Sequence, residues 1–367
     1  TIRRFVETEL IPLEDRIEAS GSLDPAQARA IFEKSRALGF YAMNIPEEYG
    51  GGGLSAVDTM LVEEQFGHTK DILVRRAFGN VYESLLEGDA AQKERWLLPC
   101  VRGERTCSIA ITEPGAGSDA AGIRTSARKA GDGYVLNGGK HFISDGLYSD
   151  FFVVSAVTDA AARPRHVSLF LVDKDTPGIT LRKLDTLGRR SLGTYEVFFD
   201  DVRVPADRLV GEPDKGWGYM LSGLQLERLM TAAGYVGGAQ SAVDLALAYA
   251  KERKQFGKPI GTFQAIAHML ADMQTAVEAS RLMMWRAAWQ LSRGEDALMA
   301  ISQAKLFGSE AYANIANQGM QIMGGYGYIM EFDMQRHYRD ARATTITAGT
   351  SQMQRNLIAG LMGLKTK

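Results

Sequence analysis

GYVLNGGKHFIS, residues 133–144, is the stretch on which the fold class turns. It is rich in β-branched and aromatic residues and contains Asn137-Gly138, a pair favoured in tight turns. Similar runs lie on both sides of it: TCSIAIT from Thr106, then DFFVVSAV from Asp150, HVSLFLVD from His166 and TYEVFFDDVRV from Thr194. Gly, Asp, Asn and Pro turns, including Asn137-Gly138 and Thr176-Pro177-Gly178, separate the runs. Several short strands with no helix between them imply a small β barrel or sandwich. A Rossmann domain, which needs βαβ alternation, is disfavoured.

On either side of this region the pattern is helical. In residues 1–105, Asp24-Pro25 is a helix N-cap followed by proline at the first helical position, and Gly39 ends that helix. Gly50 to Gly53 in IPEEYGGGGLS imply a flexible break. Gly88-Asp89 stops one helix and caps the next, which carries KERWLLP and ends near Gly103. After residue 210 the helices lengthen. Ile266, Met269, Leu270, Met273 and Val277 form one apolar stripe. Gly294 and Gly324-Gly325-Tyr326-Gly327 separate helices, which suggests an antiparallel four-helix bundle. The expected layout is α+β in three parts: an N-terminal α-helical domain at 1–105, a central β-barrel or sandwich domain at 106–210, and a C-terminal four-helix bundle at 211–367.

The composition narrows the function. The chain has 367 residues, 45% of them hydrophobic and 23% charged, as in globular proteins. A net charge of −2 gives no electrostatic case for nucleic acid or an anionic membrane. The longest apolar runs are too short to span a bilayer. Cys100 and Cys107 form neither a disulfide framework nor a CxxC pair, which suits a reducing compartment. Five scattered histidines without HExxH spacing argue against a metal site. TIRRFVETELIPLE already reads as helix, which implies residues before Thr1, where a targeting segment would lie.

Four stretches carry chemistry. ITEPGAGSD, from Ile111 to Asp119, is a glycine-rich loop after a strand, able to bring backbone N–H groups and the Ser118 hydroxyl close to a phosphate; a plain surface turn is the alternative. ERKQFGKPIG, from Glu252, puts Arg253 at a helix end, either as a two-pronged phosphate ligand or as a solvated basic terminus. QIMGGYGY, from Gln321, allows close approach by a flat ligand or is an interhelix turn. LQLERLM, from Leu224 to Met230, sets Glu227 beside Arg228, as a surface pair or as an acid kept for catalysis.

The order of these motifs resembles the acyl-CoA dehydrogenase family over essentially the whole chain. ITEPGAGSD, NGGKHFISDG, DTPGI, FDDVRVP, ERKQFGKPIG, QIMGGYG, Asp340-Ala341-Arg342 and AGTSQMQR all occur in the family's order. The resemblance implies FAD as cofactor, an acyl-CoA substrate, an electron-transfer flavoprotein as acceptor, and a homotetramer built as a dimer of dimers. It places the backbone at Ile109 and Ile111 and the Thr112 hydroxyl against the flavin. Gly117 and Ser118 line the diphosphate or the thioester. Phe142 and Ser144 stand where the family has W-I-T: Phe142 loses the indole N–H, and Ser144 keeps a hydroxyl. Arg253, Phe256, Gln321 and Gly325 are expected to reach the FAD of a neighbouring subunit, and Thr350 and Gln352 to contact FAD near the far end of the bundle.

One departure matters. Most members of the family place a catalytic Glu before Gly-Thr in the last motif, where this chain has Ala348. Isovaleryl-CoA dehydrogenases carry that Glu in an L-x-L-E-R-L segment and have A-G-T in its place, and this chain shows both halves. The resemblance therefore implies Glu227 as the base that takes the α-proton, and the Ala348 backbone N–H as a donor to the thioester oxygen. It also puts Arg228 and Ser118 on the substrate side. The expected reaction yields a trans-2-enoyl-CoA, from a short branched or medium-chain acyl group. The segment Asp71 to Asn80, DILVRRAFGN, is expected at the end of the acyl pocket. The resemblance implies that Arg75 or Arg76 could pair with an acyl carboxylate, as an Arg of this helix does in the family's glutaryl-type members, where it falls one turn earlier, near Lys70. The alternative is that both arginines point to solvent or to a subunit contact. Competing readings are an acyl-CoA oxidase, a dicarboxylyl-CoA dehydrogenase and a non-catalytic flavin-binding homologue. The location would be cytoplasmic in a bacterium and the mitochondrial matrix in a eukaryote.

Overall fold

The computed structural model describes residues 1–79, 81–159 and 166–364; Asn80, at the end of the expected acyl-pocket segment, lies outside them. Helices, a sheet and further helices follow one another along the chain. Helix α1 (Pro25–Ala37) starts where Asp24 accepts the amides of Ala26 and Gln27. Ser55 caps α2 (Ala56–Phe66), and α3 (Asp71–Ala77) follows it after a short turn. At Asp89 a reciprocal pair of bonds with Gln92 forms a capping box. Gly50–Gly53 are not a loose break. Gly52 and Gly53 donate to the Ala42 and Ile45 carbonyls, and a Cβ on Gly51 would lie 2.2 Å from Ile45 O. These glycines serve close backbone packing.

The central strands are β1 (Cys107–Ala110), β2 (Ser126–Ala130), β3 (Gly133–Ser144), β4 (Phe151–Asp159), β5 (His166–Asp173), β6 (Ile179–Leu184), β7 (Thr194–Pro205) and β8 (Leu209–Val210). They form one eight-stranded sheet in the order β6-β7-β3-β2-β4-β5-β8, with β1 parallel to β4. Asn137-Gly138 does not reverse the chain. β3 runs through the pair, and its register on β7 shifts between Leu136 and Gly138. Asn137 exchanges two bonds of 3.0 Å with Asp201, and Gly138 takes φ +147° against Thr125. The residues that favour a turn here form a bulge, because a neighbouring strand is present to pair across them.

Alternate residues of β4 enter different cores. Phe151, Val153 and Val157 pack with Trp96, Leu97 and Cys100 of the N-terminal helices. Phe152, Val154 and Ala156 pack with Phe170, Val197, Phe199 and Val204, around which the sheet curls. Both faces are dry, so the strand reads as a continuous apolar run.

Three long helices follow: α4 (Gly216–Glu252), α5 (Gln264–Ser292) and α6 (Leu298–Met323). Shorter α7 (Met334–Thr344) packs on α4 and α6, and α8 (Ser351–Leu361) on α6. Of the apolar stripe on α5, Leu270, Met273 and Val277 are buried in the shared core, while Ile266 and Met269 pack beside it. Helix α2 lies on α4 and α5, which brings the N-terminal helices against the bundle. Among the described residues no helix is long and apolar enough to cross a membrane.

Candidate active site

A cavity of about 230 Å³ opens where α2, α3 and the segment after α3 meet α4. Glu227 of α4 lines it, together with Glu63 of α2, Asp71 and Arg75 of α3, and Tyr82 and Glu83 beyond α3. The cavity leaves Glu227 partly accessible, although protein surrounds the carboxyl on its other sides. Burial raises the Glu227 pKa above the usual carboxylate value, and the Glu83 carboxylate adds to the rise. Arg75 and Arg228 oppose it. Glu83 lies over Gly223, one turn before Glu227: a Cβ on Gly223 would sit 3.5 Å from Glu83 Oε2. Asn44 Nδ2 donates to Glu83 Oε1 at 2.9 Å, and burial raises the Glu83 pKa too.

The fold joins Glu227 to the distant AGT motif. Arg228, the next residue, donates from Nε to the Ala348 carbonyl at 3.4 Å, and Gln354 Nε2 reaches the same oxygen at 3.2 Å. Ala348 has φ +53°, a left-handed conformation costly for a residue with a Cβ. Among the described residues its N–H donates to nothing, while Lys305 holds the neighbouring Gly349 carbonyl at 2.6 Å. Burial and the nearby Arg228 push the Lys305 pKa down to about 8.

The two arginines of α3 part company. Arg76 is buried in an ion pair with Asp145 and is not part of the cavity wall. Arg75 is part of it. Asp71 pairs with Arg189, which also lines the cavity.

The residues expected around a flavin fall into three groups. Ile109, Ile111, Thr112, Gly117, Ser118, Phe142 and Ser144 come together where β1 runs into its loop beside the end of β3. His141 N donates to Thr112 O at 2.7 Å, and Ser108 Oγ to Ser144 O at 2.7 Å. Phe142 has φ +59° and is 62% exposed, at a second register shift of β3. Gly117 and Ser118 are exposed, with open space where a Gly117 Cβ would be. This open, glycine-lined loop beside an outward-turned aromatic fits a flat, phosphate-bearing group. Arg253, Phe256, Gln321 and Gly325 form a second group at one end of the bundle. Arg253 stacks over Tyr326 at 5.4 Å, and Phe256 is 94% exposed. The third group is the AGT turn, where Thr350 caps α8 by accepting from Met353 N, and Gln352 is exposed.

The motifs left several residues unsingled. Glu63 and Glu83 carry no local signal, because nothing near them in sequence shows that a cavity lies beside them. Glu113 and Lys140 had one: opposite charges inside two quoted motifs. Lys140 Nζ donates to Glu113 Oε1 at 2.8 Å, Ile111 O at 3.0 Å and Ser155 Oγ at 3.2 Å. Glu113 also accepts the amides of Arg124 and Thr125 at 2.7 and 2.9 Å. Burial works against its charge, but Lys140 and these donors hold its pKa low. The pair fixes the Ile111 carbonyl at the start of the glycine-rich loop.

Comparison with known proteins finds relatives along essentially the whole chain. Family models for the acyl-CoA dehydrogenase N-terminal, middle and C-terminal domains match residues 1–104, 108–202 and 214–362. The chain is 39% identical to the human (Homo sapiens) mitochondrial short-chain specific acyl-CoA dehydrogenase, over 98% of this chain and 88% of that protein. It is 38% identical to the caffeyl-CoA reductase-Etf complex subunit CarC of Acetobacterium woodii, over 98% and 96%. The structure of butyryl-CoA dehydrogenase from Megasphaera elsdenii superposes with a TM-score of 0.90 at 33% identity, covering 99% of this chain and 96% of that one.

Proposed function

The chain belongs to the acyl-CoA dehydrogenase family of FAD-dependent oxidoreductases, and on that premise we propose that it dehydrogenates an acyl-CoA thioester between the α and β carbons with Glu227 as base. The observation that carries this reading is that Glu227, raised in pKa at a cavity wall, is followed by Arg228, whose guanidinium bonds the turn in which the Ala348 N–H donates to nothing among the described residues.

An α-proton of a thioester is weakly acidic, so its acceptor must be close and poorly hydrated. Burial gives Glu227 a basicity above that of a solvated carboxylate. As the proton leaves, negative charge grows on the thioester oxygen, and a free backbone N–H is suited to meet it. Substituting Ala for Glu at position 348 removes a carboxyl and keeps that N–H. The Lys305 and Arg228 bonds to the Gly349 and Ala348 carbonyls hold the turn in place. Bound FAD supplies the hydride acceptor for the β-carbon. Ile109, Ile111, Thr112, Phe142 and Ser144 would frame its ring, with Gly117 and Ser118 nearby. Arg253, Phe256, Gln321 and Gly325 would reach the FAD of a second copy in a homotetramer, which accounts for a phenylalanine exposed on a hairpin. The cavity volume favours a short acyl group. An electron-transfer flavoprotein as acceptor is supported by the relative described as part of an Etf complex.

The test is anaerobic addition of short acyl-CoAs to the FAD-loaded protein. Flavin bleaching by the wild type and its loss in Glu227→Gln, with FAD retained, is the expected result. Equal bleaching in both would remove Glu227 from the reaction. Peroxide release in air would make the protein an oxidase.

A further inference from the structure

The short helix α3 touches two parts of the molecule with successive side chains. Arg75 lines the cavity beside Glu227, and Arg76 is buried against Asp145. Asp145 directly follows Ser144, the last residue of β3, and Ser144 and Phe142 are the residues proposed to frame the flavin ring. Seven residues of helix therefore span from the cavity wall to the flavin-side strand.

The end of β3 is strained. Phe142 has φ +59° and Asp145 has φ +63°, both left-handed and neither a glycine. Such conformations persist where the surroundings over-determine them. Asp145 N donates to Gly193 O at 3.0 Å, Ser149 Oγ to Asp145 O at 3.0 Å, and Ser108 Oγ to Ser144 O at 2.7 Å. These bonds come from within the central domain. Arg76 adds one from the N-terminal helices.

That last contact is only half made. Arg76 donates from Nη2 to Asp145 Oδ2, while Arg76 Nε and Asp145 Oδ1 are buried without hydrogen-bond partners. Arginine and a carboxylate commonly close two parallel bonds, as Arg355 and Glu310 do at 2.7 and 2.8 Å. Leaving a buried donor and a buried acceptor unpaired is costly. A second, two-pronged arrangement is therefore open to the pair, reached by a small displacement of α3. Two arrangements of one contact are what carries a signal between sites.

We propose that the Arg76–Asp145 pair couples the acyl cavity to the flavin site: a ligand that displaces α3 moves Asp145, and with it Ser144 and Phe142, against the ring. This rests on reading the cavity as the acyl site and the end of β3 as the flavin site, and it is independent of Glu227 as base. Arg76 is a positioning residue, since it acts through Asp145.

A ligand felt at the flavin must bind the oxidised and reduced protein with different affinities, and the ratio measures the coupling. The experiment reads the flavin midpoint potential with and without saturating acetoacetyl-CoA. The β-carbon of this ligand is already a ketone and offers no hydride to the flavin. Wild type, Asp145→Asn, Arg76→Lys and the double variant Arg76→Met/Asp145→Asn are compared, with melting curves alongside. In wild type the two affinities are expected to differ by roughly tenfold or more. For a two-electron couple that is a shift of about 30 mV per tenfold. Asp145→Asn leaves a buried charge alone and should lose both stability and shift. The double variant should regain stability, because no charge is left unpaired, yet keep no more than about a twofold difference. Arg76→Lys, which keeps the charge and loses the fork, falls between. A double variant with the full wild-type shift assigns the pair to stability alone and overturns the proposal. So does a wild type that acetoacetyl-CoA stabilises against melting without moving the potential. A ligand that changes neither melting nor potential overturns the acyl-site reading, and the proposal with it. If the double variant does not retain FAD, Arg76→Lys decides, and a full wild-type shift there overturns the coupling.

Discussion

Two polar clusters in this molecule each set a basic side chain beside glutamate and are finished differently. In the β domain, Lys140 and Glu113 are nearly closed off from solvent, and the Lys140 ammonium and both Glu113 oxygens find partners. At the junction of α3 with α4, Arg75 keeps an unpartnered nitrogen, and Glu227 and Glu63 have raised pKa values instead of full pairing. A satisfied cluster stabilises one conformation of a loop. An unsatisfied one, next to a cavity, retains interaction energy that a ligand can collect. The same chain therefore separates charges that hold the glycine-rich loop from charges that line an open cavity.

That contrast can be broken at either end. The largest effect is expected at Glu227: Glu227→Gln should lower the rate of flavin reduction by about 10³- to 10⁴-fold, a typical share for a general base, while stability is little changed. Stopped-flow bleaching together with a melting curve checks both halves. In the closed cluster the effect should fall on stability. Lys140→Met strands the buried Glu113 and should cost about 3–5 kcal/mol, read from urea unfolding. Replacing both partners with apolar residues should cost less than the single change, because no charge is then left alone.

A smaller, pH-dependent effect is expected at Glu63. Its pKa in the folded state, about 8, lies above the ordinary value of 4.5, so the native protein holds this proton more tightly than the unfolded chain does. Its contribution to stability is complete below the ordinary value and is lost as pH rises toward about 8. Glu63→Gln should therefore gain stability relative to wild type between those pH values and keep the gain above them; parallel unfolding midpoints at acid and alkaline pH would contradict this. The smallest effect is at Ala348. Glycine relieves a left-handed φ, worth about 1 kcal/mol before the entropic cost of glycine is subtracted. Ala348→Gly should leave the melting temperature within a few degrees and turnover close to wild type, since the N–H remains. Loss of turnover comparable to Glu227→Gln would show that the side chain at 348 has a role of its own. Glu227→Ala combined with Ala348→Glu should recover part of the bleaching lost in the single mutant, because the fold brings residue 228 against the Ala348 carbonyl.

Local chemistry was legible wherever a residue acts through its neighbours in sequence. Asp24 and Asp89 cap helices as their flanking residues imply, and the α5 stripe faces the core. Where long-range pairing decides, the sequence was ambiguous. Asn137-Gly138 has the chemistry of a turn and became a bulge, because β7 supplies partners across it. Gly50–Gly53 have the chemistry of a flexible link and became a close contact with Ile45 and Met43.

The candidate site divides the same way. The sequence by itself determined the helix–sheet–helix order and the family, and it supplied the pairing of Glu227 with Ala348 as an expectation, since these are written in residue types and their spacing. Only the tertiary structure decided that Arg75 faces the cavity while Arg76 meets Asp145, and that Glu63 and Glu83 line the same cavity as Glu227. Two adjacent arginines share a local context. What separates them is which distant element packs against each face of a short helix, and that is settled when the N-terminal helices close on both the bundle and the central sheet.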